Sequence, residues 1–169
     1  KKRWEVIEKL PASKILIGTN FQLFSMAKRS YENYSLGGTN DNSKLADDLV
    51  HASFKNSVER LRGLGHQPII MNQPPQPSVD VYKESQRMIR KGIGFENSYG
   101  ALPEEAINNK LKELFKGDYT IVDFDSIFCD QAKGCLNFDE EGGLYNRGNH
   151  LSEHGVQKTL KYIKENSIL

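Results

Sequence analysis

Apolar and polar residues follow one another along this chain in two rhythms. Lys14-Ile15-Leu16-Ile17, Pro68-Ile69-Ile70-Met71 and Tyr119-Thr120-Ile121-Val122-Asp123-Phe124 are short runs bounded by turn residues. Such runs suit parallel strands buried on both faces. Between them the apolar positions recur at helical spacing. Leu45, Leu49, Phe54, Val58 and Leu61 predict a long helix, capped at Asn42 or Ser43 and stopped at Gly63-Leu64-Gly65. Trp4 to Leu10 reads as a short amphipathic helix ended by Pro11, and Val81 to Lys91 as another helix. Pro103-Glu104-Glu105 opens a third, with Pro in the first turn, acids near the positive end of the dipole, and Ile107, Leu111, Leu114 and Phe115 as its buried side. The last helix opens at Ser152-Glu153 and carries Val156, Leu160 and Ile163. Residues 22–42 and 92–100, rich in Gly and aromatics, read as loops, the first long enough to be a lid. Leu16, Leu111 and Val122 are expected core positions.

Strands that alternate with helices predict an α/β fold with a mostly parallel sheet covered on both faces. In such sheets ligands bind beyond the carboxyl ends of the strands. Gly18-Thr19-Asn20, Asn72-Gln73 and the loop after Phe124 lie at those ends and are expected to line one rim. Asn72-Gln73-Pro74-Pro75-Gln76-Pro77 cannot continue a ladder. No internal repeat, low-complexity tract or linker divides the chain, and 169 residues suit a single domain spanning 1–169.

Composition narrows the classes. A formal net charge of +1, with no basic stripe interleaved with aromatics, gives no reason to expect nucleic acid. Lys1-Lys2-Arg3 reads as a solvated basic start; no apolar core segment follows it as a signal peptide would require, and no run is long enough to span a membrane. Export, if the domain works outside the cytoplasm, is expected to depend on something not in this chain. Cys129 and Cys135 sit in a polar, Gly-containing loop. Their spacing is too wide for a Cys-x-x-Cys redox motif, and no partner pair completes a zinc site. They read as a disulfide closing a short loop, a gain of about 2 kcal/mol by chain entropy; the alternative is two free thiols. A disulfide implies an oxidising compartment, the periplasm or the cell exterior.

The candidate chemistry lies near the end. Gly143-Leu144-Tyr145-Asn146-Arg147-Gly148-Asn149-His150-Leu151-Ser152-Glu153-His154-Gly155 puts His150 in a polar loop directly before a helix. A histidine there is fixed in position yet open to solvent, as general-base work requires. His51 within a helix, His66 in a Gly-rich turn and His154, expected to face out from the last helix, read as structural or solvent-exposed.

The string His150-Leu151-Ser152-x-x-Gly155 resembles the C-terminal histidine block of the SGNH hydrolases. The cysteine pair ahead of Leu144-Tyr145-x-x-x-x-His150-Leu151-Ser152 resembles the version fused to membrane-bound acyltransferases of the acyltransferase-3 family. The resemblance covers residues 4–169, with 119–160 the best matched part. It implies a three-layer α/β/α, flavodoxin-like fold and a serine nucleophile in an N-terminal Gly-Asp-Ser block. It also implies oxyanion donors from a Gly and an Asn, and an Asp-x-x-His block as acid and base. Serine must lose its proton to histidine, and the tetrahedral oxyanion needs preorganised donors. His150 matches the family histidine. For the oxyanion asparagine, Asn20 in Gly18-Thr19-Asn20 follows a strand pattern, where an amide is preorganised. Asn40 in Gly38-Thr39-Asn40-Asp41 copies the family text, but no strand precedes it; position favours Gly18 and Asn20.

Two features depart from the family pattern. Arg147 stands three residues before His150, where the acid is expected, and an arginine cannot orient an imidazole or stabilise its cation. Asp139, Glu140 or Glu141 could substitute or form a solvated acidic turn, and a backbone carbonyl could orient the ring in a dyad. Loss of the acid from a triad costs about 10⁴-fold. No Gly-Asp-Ser block exists; Asp125-Ser126 follows the last strand. The nucleophile strand is expected before Trp4, so the first strand is missing from this chain and the isolated chain is expected to be inactive. The resemblance then implies O-acyl, most simply O-acetyl, transfer to or hydrolysis from a cell-surface polysaccharide. The setting is the periplasm, in a membrane protein whose acyltransferase domain is the partner, without metal, nucleotide or other cofactor. The alternative is a degenerate module that binds glycan, with Phe21–Tyr34 (Tyr31 among them) and Phe95–Tyr99 as aromatic platforms. An esterase for small esters is a third reading.

Overall fold

The structure, a computed structural model, describes residues 2–18, 42–117 and 119–169. Asn20, Asn40, Tyr31 and the lid expected over 22–42, save its last residue, lie outside the described residues. In chain order the elements are α1 (Lys2–Ile7), β1 (Lys14–Ile17), α2 (Asn42–Gly63), β2 (Gln67–Met71), α3 (Val81–Lys91), β3 (Ser98–Ala101) and α4 (Glu105–Leu114). They continue with β4 (Thr120–Val122), α5 (Phe124–Phe128), β5 (Cys129–Asp130), β6 (Gly134–Asp139), β7 (Gly142–Gly143) and α6 (Glu153–Glu165). The fold is α/β, as the rhythms predict. β1 and β2 pair in parallel, Lys14 opposite Gln67 and Ile17 opposite Ile70, in a three-stranded sheet ordered β1-β2-β4.

The chain forms two compact units: Lys1–Met71 with Lys112–Thr120, and Asn72–Leu111 with Ile121–Leu169. In the first, Val58 and Leu61 of α2 and Ile69 and Ile70 of β2 are buried. Phe115 packs edge-on against Phe54 at 5.6 Å and against Tyr119 at 5.2 Å. His51 and His66 are buried. The His66 Nδ1 accepts the Ser13 N–H at 3.3 Å, and its Nε2 faces the Ile7 carbonyl at 3.3 Å. That is a structural role, as expected. Leu16 departs from expectation: it is 40 % exposed, because β1 ends the sheet order and no strand flanks its other side among the described residues. The helix expected over 4–10 stops at Ile7, and α2 already includes Asn42 and Ser43, so neither is its cap.

In the second unit Val81, Leu111, Val122, Phe124, Phe128, Leu144 and Ile163 form the core. The strand expected over 119–124 ends at Val122, because Asp123 caps α5, its carboxylate accepting the Asp125 N–H at 3.3 Å. The loop expected over 92–100 contains β3. It joins an antiparallel sheet ordered β3-β6-β5, with β7 on β6, so the sheet content is less parallel than expected. Alternation is lost there. Register shifts interrupt β3 on both sides of Tyr99, and Asn137, Phe138 and Asp139 are all buried in succession at the end of β6. Cys129 and Cys135 are paired positions of β5 and β6 and form a disulfide.

Candidate functional site

His150 sits on a tight turn. Tyr145 and Leu151 form an isolated antiparallel bridge. Inside it, the Asn146 N–H donates to the His150 carbonyl at 2.8 Å and the His150 N–H to the Arg147 carbonyl at 3.1 Å. Gly148, at φ +56°, supplies the left-handed residue that reverses the chain. The backbone of His150 is thus bonded on both sides while its side chain is exposed. Ser152 caps α6, accepting the Gly155 N–H at 3.0 Å, and its hydroxyl donates to the Gly143 carbonyl at 2.5 Å. The Ser152 N–H donates to the Leu144 carbonyl at 3.0 Å. Gly155 completes the clamp. A Cβ there would strike the Leu144 carbonyl oxygen, so only glycine lets α6 approach this backbone. The His-Leu-Ser-x-x-Gly string therefore encodes a turn, a cap and a close helix approach, and the histidine rides on them.

The carboxylate–histidine pair of this region is a different one. The His154 Nε2 lies 2.6 Å from Asp139 Oδ1, and the Lys158 Nζ donates to Asp139 Oδ2 at 2.9 Å. The Glu141 and Gly142 N–H groups donate to Asp139 Oδ1 at 3.0 and 3.2 Å. Asp139 is buried. Burial pushes its carboxyl up, but the hydrogen bonds from Lys158, His154 and Glu141 outweigh it and hold the group below the usual carboxylate range. Two expectations are corrected here: Asp139 is not in a solvated turn, although Glu140 and Glu141 are exposed, and His154 turns inward to it. His154 and Lys158, one helical turn apart, converge on a single acid, a spacing visible in the sequence. Among the described residues the His150 imidazole has no hydrogen-bond partner, so none of Asp139, Glu140 and Glu141 is bonded to it.

The expected rim is partly a set of buried braces. Asn72 donates to Asp123 Oδ1 at 2.7 Å and accepts the Phe124 N–H at 2.8 Å. Gln73 exchanges both backbone groups with the Asn108 amide, at 2.8 and 3.0 Å. Asn72 and Gln73 are buried, and these bonds satisfy backbone groups that burial just past a strand takes from water. Asn108 also donates to Asp125 at 3.1 Å, and the Ser126 hydroxyl donates to Asp123 at 3.2 Å. Asp125-Ser126 therefore belongs to this bracing. Tyr145, in the family string, buries its hydroxyl without a partner among the described residues. Burial first, and the Asp125 charge second, hold it well above the usual phenol range. Gly18 follows β1 and is exposed; a Cβ there would lie 3.3 Å from the Met71 Cβ. Gly18 belongs to the first unit and His150 to the second. Of the aromatic platform, Phe95 stacks on Phe138 at 6.1 Å, and Lys133 lies 5.6 Å over the Tyr99 ring.

Among the described residues no His/Cys/Asp/Glu group could hold a metal ion, and no helix is long and apolar enough to cross a membrane. Residues 2–163 match the family model described as the SGNH domain fused to AT3 domains, and the chain belongs to that family. Comparison with curated proteins and with solved structures returned no match.

Proposed function

We propose that this module transfers an O-acyl group, most simply acetyl, to a cell-surface polysaccharide, or removes one. His150 is the general base and the nucleophilic serine is not among these 169 residues. The observation that carries the reading is the placement of His150: exposed, with its backbone bonded on both sides, in the family string that caps α6. As the serine oxygen attacks the ester carbonyl carbon, its proton passes to the imidazole. The Gly18 N–H and the Asn20 amide hold the oxyanion. When the tetrahedral intermediate collapses, the imidazole returns the proton to the departing oxygen, and the acyl group moves on to a glycan hydroxyl or to water. With arginine at the acid position, the ring works in a dyad. The Cys129–Cys135 disulfide supports the periplasm or cell exterior, and the family description supports a parent protein with a membrane acyltransferase domain.

The test uses the protein that carries this chain. His150→Ala is expected to lower ester turnover at least about 10³-fold and to leave glycan affinity unchanged. A second reading, a module that binds glycan without chemistry, is favoured by Arg147 and by the unpartnered imidazole. Under that reading no turnover exists for His150→Ala to remove.

A further inference from the structure

A cleft beside the His150 turn carries chemistry that acyl transfer alone does not require. Gln76, Val79, Tyr82, Lys83, Asn146 and Arg147 line a volume of about 490 Å³, inside the roughly 300–1,000 Å³ of small-molecule sites. All of them belong to the second unit. Asp80 lines it too, but its carboxylate is committed: it caps α3 by accepting the Lys83 N–H at 3.0 Å and lies 3.4 Å from the Lys83 Nζ. The Lys83 N–H holds this carboxyl below the usual range, and the Arg147 charge adds to the effect. Two cations against one acid leave the cleft with one positive charge in excess. Among the described residues Arg147 makes no ion pair, and its side chain is exposed. Tyr82 is 50 % exposed, an open aromatic face, whereas Phe95 and Tyr99 are half-buried, against Phe138 and Lys133. The Gln76 and Asn146 amides offer both donors and acceptors for hydroxyl groups.

We propose that this cleft is the subsite for a sugar residue bearing a carboxylate, such as a uronic acid, with Arg147 gripping the carboxylate and Tyr82 backing the ring. The planar guanidinium fork matches a carboxylate two bonds at a time. One surplus positive charge also fits a carboxylate better than a phosphate monoester, which carries about −1.5 to −2. The proposal deepens the acyl-transfer reading and rests on it: the turn that presents His150 carries the carboxylate grip three residues earlier, where the family places its acid. Arg147 is thereby a specificity residue for the acceptor.

Binding of trigalacturonate and of its methyl ester, followed by NMR chemical-shift perturbation of the chain, tests this directly. Wild type is expected to bind the acid at least tenfold more tightly than the ester, with shifts at Tyr82, Asn146 and Arg147. Arg147→Ala is expected to abolish the preference, and Arg147→Lys to keep part of it. Equal affinity for acid and ester, no binding of either, or an Arg147→Ala variant with unchanged preference overturns the proposal. His150→Ala separates the two readings. Carboxylate-selective binding by a wild-type full protein that shows no ester turnover removes the acyl-transfer reading and leaves the subsite. Turnover that depends on His150 without carboxylate preference removes the subsite alone.

Discussion

At the scale of single residues, Asp139 governs more of this region than any group the sequence marks out. One carboxylate takes Lys158, His154 and two backbone N–H groups, tying the turn after β6 to α6. Its carboxyl lies below the ordinary value of 3.8 in the folded chain. A depressed folded-state value contributes stability that is fully present above the unfolded value and is lost as pH falls through the folded one. Asp139→Asn is therefore expected to destabilise the chain by about 2 kcal/mol at pH 7, the scale of a hydrogen bond to a charged group. The gap between wild type and variant should shrink as pH falls below 3.8. Urea unfolding from pH 7 to pH 2.5 measures it. A gap that stays constant through the acid range would show that the charge on Asp139 contributes nothing. This pair was not legible beforehand because His154 and Asp139 are fifteen residues apart and only the β6–β7 hairpin brings them together. His150 was legible, since its position follows from a local cap and turn.

At the scale of elements, what could be read in the sequence depended on periodicity. β1, β2, α3 and α6 announce themselves by runs or by helical spacing, and they form where the pattern puts them. The antiparallel β3-β6-β5 sheet does not: its strands are short, β3 is broken by register shifts at Tyr99, and Gly100 at φ +124° interrupts its alternation. α6 shows how one glycine sets a packing distance. Replacing Gly155 by Ala improves helix propensity by about 1 kcal/mol. The new Cβ, however, meets the Leu144 carbonyl oxygen, with Leu144 carbon at 3.2 Å and the Leu151 Cβ at 3.4 Å behind it. Backbone cannot swing aside as a side chain can, and overpacking costs typically 1–3 kcal/mol. The steric term outweighs the propensity term. Gly155→Ala is expected to lower stability by about 1–2 kcal/mol in thermal or urea unfolding. Any increase would mean that α6 does not approach Leu144 this closely.

At the scale of the whole molecule, the family match runs through both compact units, from residue 2 to residue 163. The chain carries a positioned histidine and a strand-end glycine, but no Gly-Asp-Ser block. The membership was legible from the His150 string; an acid partner for His150 was not, because Arg147 stands three residues before it and no carboxylate among the described residues bonds to the imidazole. Under the proposed function the serine is not among these residues, and a histidine alone can attack an activated ester, as free imidazole does, but lacks both the covalent intermediate on serine and the charge stabilisation that a triad combines. The 169-residue chain is therefore expected to hydrolyse p-nitrophenyl acetate no faster than an equal concentration of free imidazole. His150→Ala is expected to lower that rate to near the buffer background, since His51 and His66 are buried and His154 is engaged with Asp139. Steady-state hydrolysis at pH 7.5, with imidazole as the reference, decides it. A chain that turns over ester a hundredfold faster than imidazole, and loses this with His150→Ala, would hold its nucleophile within these residues. Ser126, the only serine that directly follows an aspartate here, would then be the first to replace by alanine.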